Sequence, residues 1–300
     1  MNYAPQMTTA AYQSLARPAG KMNRVFLVGC SRSGTSVVQT LLACHPEVQS
    51  FPESDYFTKL HRHTRRSHLI KLGLATRRER PHLAGWLRAI GEGAKADALP
   101  RQPIRFAPAV RSFIGSLDRI TIESGRAIWI EKTPLHLLHL DLIERYVPDA
   151  TVLHLVRGGR DVVASLYDRA HKHAHQFGGQ RNIDVCVDLW NQCMDETLAT
   201  VGKKGHHIVM YERAVSEPLA FVNRVGAVLG LTYTQDDIDR RGSRANDYVR
   251  GYEKWKGGIS KPVRPQRSKF GVVFDDEQQR HIEGRLHLNA YDAAEAAALF

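Results

Sequence analysis

The sequence predicts a three-layer α/β fold, with a central, mainly parallel sheet flanked by helices. Three observations predict it. Short, continuous apolar runs recur along the chain, as strands buried on both faces require. Segments with apolar residues at helical spacing lie between them. A glycine-bearing turn follows the first apolar run and opens the first helix.

The elements follow in order. Residues 1–22 read as a loose N-terminal tail: they lack the basic start and apolar middle of a signal peptide. Regular structure starts at Asn23, and Arg24 to Val28 is a buried strand ending at Gly29. Thr35 to Ala43 carries Val37, Val38, Leu41 and Leu42 at helical spacing and stops at His45-Pro46. Tyr56 to about Arg88 reads as basic and helical, Gly91 to Pro108 as a loop, and Val110 to Ile122 as a helix. Strands resume at Ala127–Ile130 and Thr151–Val156, with a helix from Leu135 to Tyr146 between them. His207–Tyr211 is a further strand. Ser216-Glu-Pro starts a helix that ends near Gly230, with Ser216 as its cap. Glu277 to Phe300 reads as one closing helix. Residues 23–300 therefore form a single domain, with a helical insertion around 56–122.

Composition narrows the class. Hydrophobic residues make up 43% and charged residues 24%, which excludes disordered, collagenous and coiled-coil chains. The formal net charge of +11 favours anionic partners without choosing among nucleotides, glycans, lipid head groups and nucleic acid. Four cysteines without a Cys-x-x-Cys pair offer no zinc or iron–sulfur spacing and fit a reducing compartment. Cys186 and Cys193, two helical turns apart, read as helix packing. No stretch approaches the roughly 20 apolar residues of a membrane span. A cytoplasmic enzyme is expected.

The turn Gly29-Cys-Ser-Arg-Ser-Gly34-Thr-Ser36 lies between strand and helix. Backbone N–H groups there point at an anion, and the helix dipole favours negative charge. Gly29, Gly34 and Ser36 fit the nucleotide loop G-x-x-x-x-G-K-[ST], hence a P-loop-like fold, but Thr35 stands in the lysine position. An ATPase or kinase needs that lysine for the β- and γ-phosphates. Arg32 supplies the positive charge instead. After the strand Thr151–Val156 comes Arg157, at a strand's carboxyl end, where α/β folds place ligands. Ser165 and Arg169 fall one helical turn apart beyond it. They could converge with Arg157 on a second phosphate or be solvent-facing residues of an ordinary amphipathic helix. Two anion positions on neighbouring strands suit a nucleotide carrying two separated anionic groups.

On these residues the chain resembles the superfamily of sulfotransferases that use 3′-phosphoadenosine-5′-phosphosulfate (PAPS), most closely its tyrosylprotein-sulfotransferase-like branch. The first loop is similar to the family's 5′-phosphosulfate loop, which implies that Arg32, Ser33, Gly34, Thr35 and Ser36 hold the phosphosulfate. The segment LVRGGRDVVASLYDR resembles the 3′-phosphate segment, with Arg157 and Ser165 as ligands and Arg169 assisting. HPEVQSFPE resembles the stretch holding that branch's catalytic glutamate, here Glu53, and IEKTP the segment whose lysine reaches the reacting centre, here Lys132. MYE and EKWKG resemble segments that close over the nucleotide, through Tyr211 and Lys254 or Lys256. The resemblance spans roughly residues 23 to 258, and nothing specific matches between Phe57 and Ile122.

The implied reaction is in-line transfer of a sulfuryl group to a hydroxyl, or second to an amine, leaving 3′-phosphoadenosine 5′-phosphate (PAP). Glu53 is the expected general base, Arg32 and Lys132 stabilise the leaving phosphate, and His136 is a reserve base. Glu53 could otherwise be a surface residue or start a helix, and Lys132 could pair with Glu131 or Asp141. No aspartate stands after a strand as a metal ligand, so no metal is expected. The acceptor is a small molecule, glycan or lipid, and the arginines of His61–Arg80 could greet an anionic one or form a solvated helix face. Basic and aromatic residues do not interleave as in single-strand nucleic-acid binders. Trp86, Trp190 and Trp255 read as core or pocket walls, and a homo-oligomer is compatible with the sequence. The competing classes are a kinase-like phosphotransferase with an atypical loop and a non-catalytic anion- or nucleic-acid-binding module.

Overall fold

The computed structural model describes residues 22–61, 64–172, 181–241 and 263–299. Lys254, Lys256 and Trp255 lie outside them, as do residues 1–21. Within the basic run, the side chains of 61–66 are likewise outside the description.

Five parallel strands form one sheet in the order β2-β3-β1-β4-β5. They are β1 (Asn23–Gly29), β2 (Val48–Phe51), β3 (Ile128–Glu131), β4 (Thr151–Val156) and β5 (His206–Met210). β1 is central because its side chains can be buried on both faces: Val25, Phe26, Leu27 and Val28 are fully inaccessible. Alternation divides them. Val25 and Leu27 pack under helices α1 (Thr35–Leu42) and α11 (Pro218–Leu229). Phe26 and Val28 face the larger core of α2 (Tyr56–His61), α4 (Glu79–Ala89), α6 (Phe106–Glu123), α8 (Gly159–Lys172) and α9 (Ile183–Leu198). Three layers result. The remaining helices are α3 (Thr64–Lys71), α5 (Gly93–Asp97), α7 (Leu140–Tyr146), α10 (Tyr211–Ser216), α12 (Gln235–Asp239), α13 (Phe270–Val273), α14 (Asp276–Arg285) and α15 (Leu288–Ala296).

The topology fixes where a ligand can sit. The chain runs from β1 towards one edge of the sheet and from β4 towards the other. Their connections leave on opposite faces, through α1 and α8. The carboxyl ends of β1 and β4 therefore flank the switch-point crevice in which α/β sheets bind ligands.

Several element expectations need correction. β2 was not expected from its sequence. The stretch 56–88, expected to be helical, is divided into three helices, and α5 lies inside the expected loop. α6 starts at Phe106 with Pro108 in its first turn, where the N–H that proline lacks has no intrahelical partner anyway. The helix expected from Leu135 to Tyr146 is a 3-10 turn (Pro134–His139) followed by α7. Ser216 is not a cap: it ends α10, and Glu217 precedes Pro218 at the start of α11. The closing helix is two helices, broken where buried Leu286 turns inward against Gly159. Cys186 and Cys193 are buried on α9, as are Trp86 and Trp190 in the larger core. No helix among the described residues is long and apolar enough to cross a membrane.

Candidate active site

The loop from Gly29 to Ser36 turns so sharply because three residues leave the usual backbone range. Gly29 has φ +155°, Gly34 +93° and Arg32 +74°. A side chain on Gly29 would strike the Leu155 carbonyl of β4 at 2.4 Å, and one on Gly34 would strike the Tyr211 ring at 2.3 Å. Arg32 is not glycine, so its left-handed backbone carries strain of the kind that clusters at functional sites. The N–H groups that open α1 at Thr35 and Ser36 follow directly on this turn, and the first N–H groups of a helix have no intrahelical partner. Ser33 is buried, and its hydroxyl has no hydrogen-bond partner among the described residues. A buried hydroxyl without a partner costs free energy that an anion at the loop would offset.

The residues expected to form a second anion position adjoin the first loop. Arg32 Nε donates to Ser165 Oγ on α8 at 3.2 Å, across 133 residues of sequence. Arg157, at the end of β4, stacks its guanidinium 4.4 Å above the Tyr211 ring and donates from Nη2 to Asp161 at 3.1 Å. Its Nε is buried without a partner among the described residues. Arg32 keeps solvent contact at the crevice mouth, although protein surrounds much of its guanidinium. Burial first, then the charges of Arg169 and Arg157, lower its pKa, against the pull of Glu53 and Asp168. Arg157 and Arg169 thus lie near enough to Arg32 to disfavour its charge, a like-charge group that a polyanion would relieve.

On the other side of the first loop stand Lys132 and Glu53. Lys132, 1% exposed at its side chain, forms an ion pair with Glu53 and lies 3.4 Å from Ser36 Oγ. It therefore pairs with neither Glu131 nor Asp141. It joins the phosphate loop to the carboxylate. Glu53 keeps 30% of its side-chain surface and stands in the short connection between β2 and α2.

That connection is held from below by residues whose part the sequence did not reveal. The fully buried Glu131 carboxylate accepts from Ser54 N–H at 3.0 Å, Ser54 Oγ at 2.7 Å and Thr133 Oγ1 at 2.6 Å. Asp55 N–H donates to Thr133 Oγ1 at 3.1 Å, and His82 Nε2 meets the Ser54 carbonyl at 2.8 Å. Burial pushes Glu131 up, but the His136, Thr133 and Ser54 donors outweigh it and hold the group below the usual carboxylate value.

His136 is not with this group. It is fully buried between the Phe26 and Phe57 rings. Its Nε2 accepts from Phe57 N–H at 3.2 Å, which leaves the proton on Nδ1, 3.1 Å from Glu131 Oε2. Both ring nitrogens are turned away from solvent. Glu212, next to Tyr211, is a further residue the sequence did not single out: its carboxylate accepts from Gly158 N–H at 3.0 Å and fixes the turn after Arg157.

The crevice therefore gathers Arg32, Ser33, Gly34, Thr35, Ser36, Glu53, Lys132, Arg157, Ser165, Arg169 and Tyr211, and leaves His136 in the core. The first loop and the residues after β4 are thereby linked in one crevice. Comparison with known proteins agrees in fold and family. A model described as "Sulfotransferase family" matches residues 24–235. Protein-tyrosine sulfotransferase A of Caenorhabditis elegans is 24% identical over 213 residues, 70% of this chain and 50% of the worm protein. Nodulation protein NoeE of Sinorhizobium fredii is 22% identical over 262 residues, 75% of this chain and 54% of that protein. The chain thus spans about half the length of these curated relatives. The sulfotransferase domain from the curacin biosynthetic pathway superposes with a TM-score of 0.54 at 17% identity, covering 88% of this chain and 98% of the domain. A mouse sulfotransferase, SULT7A1, complexed with PAP, gives 0.53 at 11% identity, covering 93% and 89%. With the family model covering most of the chain, the protein belongs to the sulfotransferase family.

Proposed function

We propose that this protein moves a sulfuryl group from PAPS to an acceptor hydroxyl, or secondarily an amine, with Glu53 as general base. One observation carries the proposal: Arg32 of the first loop bonds Ser165 of the second, so two anion positions form one site beside Lys132 and Glu53. A donor with a 5′-phosphosulfate and a 3′-phosphate is two-ended in the same way. Arg32, Ser33 and the N–H groups of α1 would hold the phosphosulfate. Arg157, Ser165 and Arg169 would hold the 3′-phosphate, with Tyr211 bracing Gly34 and Arg157.

The residues then divide the work. Glu53 takes the acceptor's proton as the acceptor oxygen forms its bond to sulfur and the bond from sulfur to the bridging phosphate oxygen breaks. Such positioned proton transfer contributes about 10²–10⁴-fold. Once protonated, Glu53 no longer balances Lys132, whose charge turns to the departing phosphate beside Ser36. Arg32 opposes the same negative charge from the other side. Electrostatic stabilisation that strengthens as charge develops lowers the barrier rather than the ground state. His136 is not offered as a base: no solvent path reaches its nitrogens, and its Nε2 lone pair is committed to Phe57 N–H.

Thermal unfolding with PAP, ADP or AMP tests the donor. A ligand at 100 times its Kd adds about 2.7 kcal/mol. PAP is expected to stabilise well beyond AMP and ADP. Equal shifts for PAP and AMP would remove the donor assignment.

A further inference from the structure

We infer that a second, separate anion site lies in the helical insertion, in the cleft between α6 and the segment after α5, and that it takes a small ligand carrying phosphate, sulfate or carboxylate.

The charge distribution points there. Residues 56–122 hold 14 lysines and arginines against 4 carboxylates, so ten of the chain's eleven net positive charges lie in this one segment. The cleft has a volume of about 340 Å³, within the usual range for small-molecule sites. One wall is a single face of α6, Pro108 to Arg119. The other is Lys95 to Pro100. Lys95 is neutralised by Glu92 at 2.7 Å and Glu123 at 2.6 Å. Arg111 and Arg119 are different: neither makes an ion pair or side-chain hydrogen bond among the described residues, although Asp118 and Asp97 nearby are engaged with Arg24 and Arg88. Eight residues separate the two arginines, about 12 Å along the helix axis. Between them Ser112, Gly115 and Ser116 leave room for a ligand body. Ser112 and Ser116 donate their hydroxyl protons to helix carbonyls at 3.1 and 2.8 Å, which leaves their oxygens as acceptors.

A second, narrow chamber adjoins the cleft. It has a volume of about 10 Å³, shares Leu99, Pro100 and Ser112 with the cleft, and is also lined by Tyr56, Glu79 and Arg80. That volume holds about one water-sized group. Tyr56 is 1% exposed, and its hydroxyl has no hydrogen-bond partner among the described residues. A buried hydroxyl without a partner, in a chamber beside a cationic cleft, is the feature a bound polar group completes. Tyr56 opens α2 three residues after Glu53, so the adjoining chamber is linked in sequence to the connection that carries the proposed base. A concave, sugar-sized cleft with a charge at each end suits a discrete dianion better than a lipid surface, which needs a flat or convex patch. Two sources share this chemistry: the charged end of the acceptor itself, which rests on the proposed transfer, or an independent anion acting as effector.

The test uses the full chain with PAP saturating, so that the crevice between β1 and β4 is filled, and titrates fructose 1,6-bisphosphate by calorimetry. Wild type is expected to bind one equivalent. Arg111→Ala and Arg119→Ala are each expected to weaken binding about tenfold, Arg119→Lys to restore most of it, and neither to change PAP affinity. Tyr56→Phe checks the adjoining chamber, with a smaller loss expected. Unchanged affinity in both alanine variants, or no binding by wild type, overturns the site. Arginine-dependent binding to phosphatidylglycerol vesicles without binding of the bisphosphate overturns the small-ligand assignment. Steady-state kinetics separates the sources: a raised KM confined to anionic acceptors in Arg119→Ala marks an acceptor site, and a lost response to added bisphosphate marks an effector site. If PAP fails to bind while the bisphosphate still does, the donor assignment falls and the cleft stands.

Discussion

Gly34→Ala tests whether Tyr211 braces the phosphate loop. At φ +93° an alanine meets the backbone penalty of the left-handed region, about 1–2 kcal/mol. Its Cβ would also stand 2.3 and 2.4 Å from Tyr211 Cε2 and Cδ2, where ordinary contact is more than 1 Å longer. Tyr211 cannot swing away cheaply: it is 6% exposed and lies under the Arg157 guanidinium. Overpacking of this kind costs about 1–3 kcal/mol. The single variant is therefore expected to lose roughly 2–5 kcal/mol in urea unfolding without ligand. Tyr211→Val removes the ring and with it the collision, but not the backbone penalty. In a double-mutant cycle the two changes should combine sub-additively, by about the 1–3 kcal/mol of the collision. Additivity within about 0.5 kcal/mol would falsify the brace. It would mean that the ring and the loop are independent, and Tyr211 would lose its place in the donor site.

Three further outcomes are expected. Glu53→Gln keeps the PAP-induced rise in unfolding temperature while turnover drops about 10²–10⁴-fold, and retained turnover in a labelled-donor assay removes Glu53 as base. Glu131→Leu strands the Ser54, Thr133 and His136 donors in the core and should cost roughly 3–5 kcal/mol in urea unfolding, with kcat reduced more than PAP affinity. An effect under about 1 kcal/mol would show that the connection holds itself. Stability should also fall in mild acid. Burial first, then His206, His207 and Lys203, push His154 down to about 3. The folded state keeps it neutral while the unfolded chain binds a proton below about pH 6.5. Its contribution is thus present above that pH and is lost as pH falls towards 3, about 1.4 kcal/mol per pH unit and roughly 2 kcal/mol by pH 5. Urea unfolding of wild type and His154→Gln between pH 5.5 and 8 checks this, since the variant should show a shallower slope. Equal slopes would assign the pH dependence to other groups.

What the sequence showed, it showed where structure and chemistry are local. β1 and β4 are buried on both faces, so their burial reads directly as continuous apolar runs. The phosphate loop is eight consecutive residues, and the anion geometry follows from its place between strand and helix. β2 escaped because Gln49 and Ser50 interrupt its apolar character. Ser50 is nevertheless buried, its hydroxyl accepting from Gln39 of α1 at 2.8 Å, while the same amide reaches the Phe51 carbonyl at 2.7 Å. A polar strand residue is tolerated there because a helix side chain satisfies it, and no local pattern carries that information. The break between α14 and α15 is announced only by Gly284, the penultimate residue of α14, and a glycine there does not tell which way the chain turns. The break exists because Leu286 fills the space over Gly159, a contact made across more than a hundred residues.

The candidate base illustrates the same limit from the other side. Glu53 and Glu131 are both glutamates at the carboxyl edge of the sheet, and both were visible in sequence. Composition and spacing cannot separate them, because the difference lies in what surrounds each carboxylate. Glu131 is fully buried: Ser54 and Thr133 donate to its Oε1, and His136 Nδ1 lies 3.1 Å from its Oε2. A carboxylate sealed in the core can hold a loop but offers no surface to a substrate. Glu53 keeps part of its surface and faces a lysine that also reaches the phosphate loop. The histidine after Lys132-Thr133 falls under the same logic. A histidine near a lysine–threonine segment suggests a base, yet here its ring accepts the N–H of Phe57, the second residue of α2, and so secures the helix that follows Glu53. The carboxylate with surface is the one proposed as base, and the histidine without it serves to hold α2.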